Sequence, residues 1–252
     1  MAERTGRLAR AGLVEIAWRR LPGRGPTLVF LPGFGSDMTG EKATALAEWC
    51  HGSGQAMLRL DYSGHGASSG RFEEGTIGRW TEDALAVIDA EAEGPVVLAG
   101  SSMGGWIALL VALARPERVA GLLGIAAAPD FTEALMWAAM SFEERDRLRA
   151  QGMITVPSRY GPPTPITLAL IEEGRRHLLL DAPIPITCPV RLLHGQADPD
   201  VPWELALRLG ERLQSADVQL TLIKDGDHRL SRPQDLALLR RTLAPLLGQD
   251  RG

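Results

Sequence analysis

Pro95-Val96-Val97-Leu98-Ala99-Gly100-Ser101-Ser102-Met103-Gly104 is the stretch that decides how the rest of the chain is read. An apolar run enters a G-x-S-x-G pentapeptide, and a long apolar segment from Gly105 to Ala114 leaves it. A strand, a sharp turn and a helix in that order hold a serine hydroxyl out above the edge of a sheet. The two glycines serve close approach, because the helix and the adjacent strands come too near for a Cβ. Ser102 is therefore a candidate nucleophile. Met103, at the start of the helix, is a candidate donor of a backbone N–H to a developing negative charge.

The pentapeptide alone is weak: at average composition it arises by chance about 0.1 times in a chain of this length. A second copy is in fact present, Gly66-Ala67-Ser68-Ser69-Gly70. Its surroundings from Tyr62 to Glu74 are polar and glycine-rich, with no apolar strand directly ahead and no helix directly behind. That context reads as a loop and places Ser68 at a surface or pocket rim.

Working outward, short apolar runs alternate with helical patterns. Strands are expected at Leu13–Trp18, Thr27–Leu31, Ala56–Asp61, Pro95–Gly100, Ala120–Ala126, Val190–His194 and Val218–Ile223. Helices are expected at Thr39–His51, Ile77–Glu93, Met103–Ala114, Trp203–Leu213 and Pro233–Leu247, with Thr76 capping the second and Pro233 opening the last. This alternation implies an α/β fold, a mostly parallel sheet with helices on both faces. The stretch at about 129–186 breaks the rhythm with helical segments at Phe131–Met140, Ser141–Gln151 and Ile166–Leu180 around a proline-rich piece. It reads as a helical lid inserted into a single domain spanning residues 1–252, above the strand ends where open α/β sheets bind ligands.

At 252 residues, 45% hydrophobic and 23% charged, the chain has the composition of an ordinary soluble globular domain. Its net charge of −4 and lack of a basic cluster argue against a nucleic-acid partner. The longest apolar runs fall short of the ~18 residues that a membrane span needs. Cys50 and Cys188 form no C-x-x-C pair, which argues for a reducing compartment and against a structural metal. No cofactor motif is present, and the short polar start lacks the apolar core of a secretory signal. A cytoplasmic enzyme is expected, or a mitochondrial-matrix one if the chain is eukaryotic and processed.

A serine hydroxyl needs a base within hydrogen-bond reach, and the base needs an acid to orient it. After an elbow serine these follow in the order acid, then histidine, each on a loop after a strand. Of the five histidines, His51 and His65 precede Ser102, His177 falls in the insertion, and His194 comes before the candidate acid. His228, in the loop after the last strand, is left as the base. Asp198 is favoured as the acid on the spacing His194-Gly195-Gln196-Ala197-Asp198, with Asp200 as the fallback. A second oxyanion donor is expected from the turn Pro32-Gly33-Phe34-Gly35, which aims the Phe34 amide at the substrate oxygen. In the insertion, Phe131, Leu135, Met136, Trp137 and Met140 can line an acyl pocket. Arg159, Arg175 and Arg176 can meet a carboxylate, with Trp137 and Arg159 the first choices as substrate contacts.

With Pro32-Gly33-Phe34-Gly35, Asp61-Tyr62-Ser63-Gly64-His65-Gly66, Gly100–Gly104, the Asp198 loop and His228 in place, the chain resembles the serine α/β-hydrolase superfamily over nearly its full length. Relatives mostly begin the oxyanion loop with His-Gly, where this chain has Pro32-Gly33. Within the superfamily it is similar to the mitochondrial palmitoyl-protein thioesterases that also hydrolyse acyl-glucuronides such as that of mycophenolic acid. That likeness rests on Gly100-Ser101-Ser102-Met103-Gly104-Gly105-Trp106, Ala114-Arg115-Pro116-Glu117, Pro157-Ser158-Arg159-Tyr160, Pro183-Ile184-Pro185, Cys188–Gly195, Val201-Pro202-Trp203 and Asp227-His228-Arg229. The resemblance implies an α/β-hydrolase fold, cleavage of ester or thioester bonds in small molecules or acylated proteins, no cofactor, and Ser102, Asp198 and His228 as triad. Lacking a long targeting segment, the chain is expected to be a bacterial relative. The competing expectations are a small-molecule carboxylesterase, an acyltransferase using the same acyl-enzyme, or a non-catalytic binding module.

Overall fold

Strand alternation sorts the side chains of the sheet onto two faces, and each face collects its own core. The computed structural model describes residues 2–10, 14–159 and 161–249. Its sheet has eight strands: β1 (Arg4–Ala9), β2 (Glu15–Leu21), β3 (Arg24–Leu31), β4 (Gln55–Leu60), β5 (Val96–Ser101), β6 (Val119–Ile125), β9 (Val190–Gly195) and β10 (Val218–Ile223). The order is β1-β2-β4-β3-β5-β6-β9-β10, antiparallel at the β1–β2 and β2–β4 pairs and parallel elsewhere. On β3, Val29 and Leu31 join one core while Leu28 and Phe30 join the other; Val96 and Leu98 against Val97 and Ala99 repeat the pattern on β5.

The helices divide accordingly. α1 (Glu41–Ser53) and α7 (Pro233–Leu246) cover one face through Leu46, Cys50, Leu239 and Leu243. α2 (Ile77–Glu91), α3 (Met103–Ala114) and α6 (Glu204–Arg212) cover the other. Thr76 caps α2 by accepting from the Arg79 N–H at 3.3 Å, and Arg232 precedes Pro233 at the start of α7. α3 is buried nearly all round, from Met103 through Ala112 with only Leu110 partly open. These elements correspond to the alternation read from the sequence, with the expected start of the first strand, Leu13, lying outside the described residues.

Two elements had no sequence signal strong enough to name them. β1 is a polar edge strand whose residues alternate between exposed and half-buried, so it offers no apolar run. A small antiparallel hairpin, β7 (Met153–Val156) and β8 (Thr164–Thr167), occupies the proline-rich part of the insertion. The rest of the insertion contains a π-helical turn at Thr132–Trp137, α4 (Phe142–Gln151), α5 (Leu168–Gly174) and a 3-10 turn at Arg175–His177. The expected helix over Phe131–Met140 is thus wider than an α-helix, with the Ala138 N–H reaching the Glu133 carbonyl five residues back. Asp130, at φ +60°, closes the insertion at its base: its carboxylate accepts from the Leu179 and Leu180 N–H groups at 2.8 and 2.9 Å. Among the described residues no helix is long and apolar enough to cross a membrane.

Candidate active site

Ser102 stands between the end of β5 and the start of α3 at φ +54° and ψ −119°, a conformation L-residues rarely hold. Its backbone is held there from three sides: its N–H donates to Ile125, and its carbonyl accepts from Gly105 and Ala128. Neighbours without side chains permit the approach. A Cβ on Gly100 would run into the Gly104 carbonyl, and one on Gly104 into the backbone of Leu31 and Pro32.

Two loops on the far side of the sheet centre meet this serine. The turn after β9 is stitched to the turn after β10 by hydrogen bonds from the Gln196 N–H to Ile223 and from the Ala197 N–H to Gly226. That stitching brings Asp198 and His228 together. His228 Nδ1 lies 2.7 Å from Asp198 Oδ2, and His228 Nε2 lies 3.1 Å from Ser102 Oγ. The Asp198 carboxylate is wholly shielded from solvent. Burial pushes its pKa up, but hydrogen bonds from His194 and His228 outweigh this, aided by the Val201 N–H, and hold it well below the usual carboxylate range. An ionised carboxylate can only accept, so His228 Nδ1 carries the proton and Nε2 presents its lone pair to the serine. Asp200, the fallback acid, pairs with Arg159 at 3.4 Å.

His194, which precedes the candidate acid in the chain, reaches that acid directly. Fully buried, its Nε2 lies 3.0 Å from the Val201 carbonyl and 3.3 Å from Asp198 Oδ2. The acid is therefore held by both histidines on one oxygen and by the Asp200 and Val201 N–H groups on the other. His177 is engaged in the insertion, 2.5 Å from Glu173, while its carbonyl accepts from the Trp106 indole at 3.1 Å.

The turn after β3 comes up against the serine from the opposite direction. A Cβ at Gly33 would stand 3.3 Å from the Ser101 carbonyl and 3.4 Å from the Ser102 side chain, so the turn lies directly against the serine. Among the described residues no acceptor meets the Phe34 N–H, and Met103 is the first residue of α3, where N–H groups have no partner within the helix. Phe34 and Met103 both line the cavity that holds Ser102.

A cavity of about 660 Å³ opens over Ser102, Met103 and His228. One wall is apolar, with Phe131, Leu135, Met136 and Ile166 from the insertion. The other is polar, with Asp37, Lys42, Arg159 and Arg229. Lys42 hydrogen-bonds the Arg229 carbonyl, and burial together with the Arg229 charge pushes its pKa down to about 8. Arg159 lines the cavity. Trp137 does not: its ring packs behind the wall, under the guanidinium groups of Arg145, Arg149 and Arg175 at 4.9–5.1 Å. Arg175 is also paired with Glu133 at 2.7 Å, and of the apolar residues expected to line an acyl pocket, Phe131, Leu135 and Met136 reach the cavity. Tyr160 lies outside the described residues.

Among the described residues one group could hold a metal ion: Asp198, Asp200 and His228 bring ligand atoms within 4.8 Å of one another. A cation there would have to part His228 Nδ1 from Asp198 Oδ2, the bond that orients the imidazole.

The family described as serine aminopeptidase, S33, matches residues 25–160. The mitochondrial palmitoyl-protein thioesterase ABHD10 of Mus musculus is 44% identical over 242 residues, 95% of this chain and 81% of that protein. The solved structure of mouse alpha/beta hydrolase domain-containing protein 10 superposes with a TM-score of 0.89 at 43% identity, covering 96% of this chain and 98% of that one. A protein of Agrobacterium vitis S4 assigned as a hydrolase superposes with a TM-score of 0.94 at 41% identity, covering 98% of this chain and all of that one (100%).

Proposed function

The chain belongs to the serine aminopeptidase S33 family of α/β-hydrolases, alongside ABHD10, and on that premise we propose that it cleaves acyl-thioesters and carboxylic esters through an acyl-enzyme on Ser102. The observation that carries this reading is the unbroken line from Asp198 through His228 to Ser102, at 2.7 and 3.1 Å. Ser102 Oγ attacks the acyl carbon as its proton passes to His228 Nε2, and Asp198 stabilises the imidazolium that forms. The Phe34 and Met103 N–H groups receive the oxyanion. The C–S or C–O bond then breaks, and the leaving thiolate or alkoxide takes the proton from Nε2. Water, deprotonated by the same nitrogen, attacks the acyl-Ser102 carbonyl, and the carboxylic acid leaves with the serine restored.

The acyl chain lies along Phe131, Leu135 and Met136, so the insertion at about 129–186 acts as a lid on one α/β-hydrolase domain. Long-chain acyl-thioesters on protein cysteines are the first substrate class to test, because the mammalian relatives carry the name palmitoyl-protein thioesterase. Acyl-glucuronides are the second, with Arg159 on the rim meeting the sugar carboxylate. Removing that charge by Arg159→Ala should lower acyl-glucuronide turnover about 2–5-fold relative to a neutral ester, an effect of the size of an exposed charge pair. Equal losses on both substrates would dismiss Arg159 as the anion reader. Both cysteines are free thiols, the Cys50 thiol pushed up to about 12 by burial, and we assign the enzyme to a reducing compartment, the cytoplasm or, if the chain is eukaryotic and processed, the mitochondrial matrix. Covalent labelling by a fluorophosphonate probe, lost in Ser102→Ala, tests the core of the reading. An unlabelled but folded wild type would overturn it.

A further inference from the structure

We propose that His65 is a positioning residue for the oxyanion site: by accepting a hydrogen bond from the Gly35 N–H, it holds the turn that presents the Phe34 amide to the substrate. This rests on the assignment of Phe34 as an oxyanion donor.

The turn Gly33-Phe34-Gly35-Ser36 is closed by a hydrogen bond from the Ser36 N–H to the Gly33 carbonyl at 3.1 Å. Gly35 sits at φ +68° while Phe34 is not among the positive-φ residues, which makes this a type II turn. Type I and type II differ in the orientation of the central peptide, here the one joining Phe34 to Gly35. Its N–H lies 3.2 Å from His65 Nε2. In a type I turn the Phe34 carbonyl oxygen would face that nitrogen instead, lone pair against lone pair. The imidazole therefore selects one of two turns. The amide of Phe34 belongs to the preceding peptide, whose carbonyl end the turn bond fixes; in a trans peptide the N–H points the opposite way.

His65 is built to accept. Its Nδ1 lies 3.3 Å from the Ser63 carbonyl, which can only accept, so the ring proton stays on Nδ1 and Nε2 is left bare. The ring is buried, edge-on to Trp80 at 5.1 Å and to Tyr62 at 5.7 Å, and tilted against Phe72 at 5.0 Å. Burial pushes its pKa down, against the smaller opposing pull of Ser63, Asp83 and Asp37, and so favours the neutral ring. Phe72 and Trp80 also hold the Phe34 side chain, at 4.9 and 5.8 Å. One aromatic wall thus fixes backbone and side chain of the same residue. Further along the loop, Asp61 Oδ1 accepts from the Met38 N–H at 2.6 Å.

The test compares His65→Leu, which removes the acceptor, with His65→Gln, whose amide oxygen can accept from the Gly35 N–H. The measurements are kcat, KM, the thermal midpoint, and the affinity of an alkyl trifluoromethyl ketone, which binds as an oxyanion on the serine. His65→Leu should lower kcat and ketone affinity together by about 10–100-fold, less than outright loss of an oxyanion donor. KM should change less than about 3-fold, as for an interaction made in the transition state. His65→Gln should recover most of both. If the leucine variant does not fold, His65→Asn, too short to reach Gly35, takes its place. The proposal is overturned if the acceptor-free variant keeps kcat and ketone affinity, or if His65→Gln is as impaired as that variant. Ser102→Ala run in parallel separates the two failures: an active serine variant breaks the functional reading itself, while an unaffected His65→Leu beside a dead Ser102→Ala breaks only this inference.

Discussion

Gly66-Ala67-Ser68-Ser69-Gly70 and Gly100-Ser101-Ser102-Met103-Gly104 share a pattern of letters and nothing of its physics. In the second, the serine carries the positive φ, and the glycines are small because backbone packs against them. In the first, the glycines carry the positive φ, +47° and +97°, and the serines are relaxed. Ser68 Oγ accepts from the Ala17 N–H at 2.8 Å and donates to the Asp61 carbonyl at 2.7 Å, so both its hydrogen-bonding roles are taken up by backbone. Ser102 Oγ faces a histidine nitrogen over an open cavity. A nucleophile needs strain, a base and room. Ser68 has none of the three.

The largest effect should therefore separate the two serines outright. Ser102→Ala is expected to lower kcat by about 10⁶-fold if the triad acts as a unit, leaving a residual acceleration of about 10³-fold over water from binding and oxyanion stabilisation. Ser68→Ala should leave kcat within about 2-fold. Steady-state turnover of one acyl-thioester by both variants checks this. Comparable losses would erase the distinction.

Next in size is Asp198, the acid proposed to serve Ser102. Asp198→Asn should cost about 10⁴-fold in kcat, because an amide in place of the carboxylate no longer holds the Nδ1–H tautomer of His228. The same carboxylate should show in acid unfolding. Its folded pKa lies below the unfolded value of about 3.9, so its contribution to stability is fully present above about pH 4 and fades as pH falls through the lower folded value. Urea titrations from pH 5 downward should give a steeper loss for the wild type than for Asp198→Asn. Parallel slopes would mean that the pair does not stabilise the fold.

Much of this was legible before any coordinates. Runs such as Val96–Ser101 announce themselves because a strand covered on both faces must be apolar throughout. The chain order of Ser102, Asp198 and His228 isolates them because few histidines compete. What stayed hidden is what depends on neighbours distant in sequence. Trp137 reads as a pocket residue, since an aromatic in an apolar helix looks the same whichever way it faces; three arginines turn it outward. His65 precedes Ser102, which excludes it as the base but says nothing of its role as an acceptor. Lys42 gave no signal at all: its place on the cavity wall follows from how α1 meets the loop before α7. The spacing Asp61-Tyr62-Ser63-Gly64-His65-Gly66 could have flagged the second of these, as a polar loop with a buried aspartate and histidine beside an oxyanion turn.

The smallest effect tests what the relaxed serine is for. β2 runs past the loop that follows β4, and beyond their shared ladder the side chains of Ser68 and Ser69 take over from strand backbone. Ser69 Oγ accepts from the Glu15 N–H at 2.7 Å, just as Ser68 Oγ accepts from Ala17. Ser68→Ala removes the acceptor of one strand N–H and a donor to Asp61, which should lower stability by about 1–2 kcal/mol given partial access to water. Urea unfolding should show a lower midpoint at unchanged slope. The rate constant is the discriminating quantity, because Asp61 also anchors the oxyanion loop through Met38. If kcat holds while the midpoint falls, the serine is a staple in the sheet. If kcat falls with it, the loop passes the disturbance on to the oxyanion turn, and the two pentapeptides are parts of one site after all.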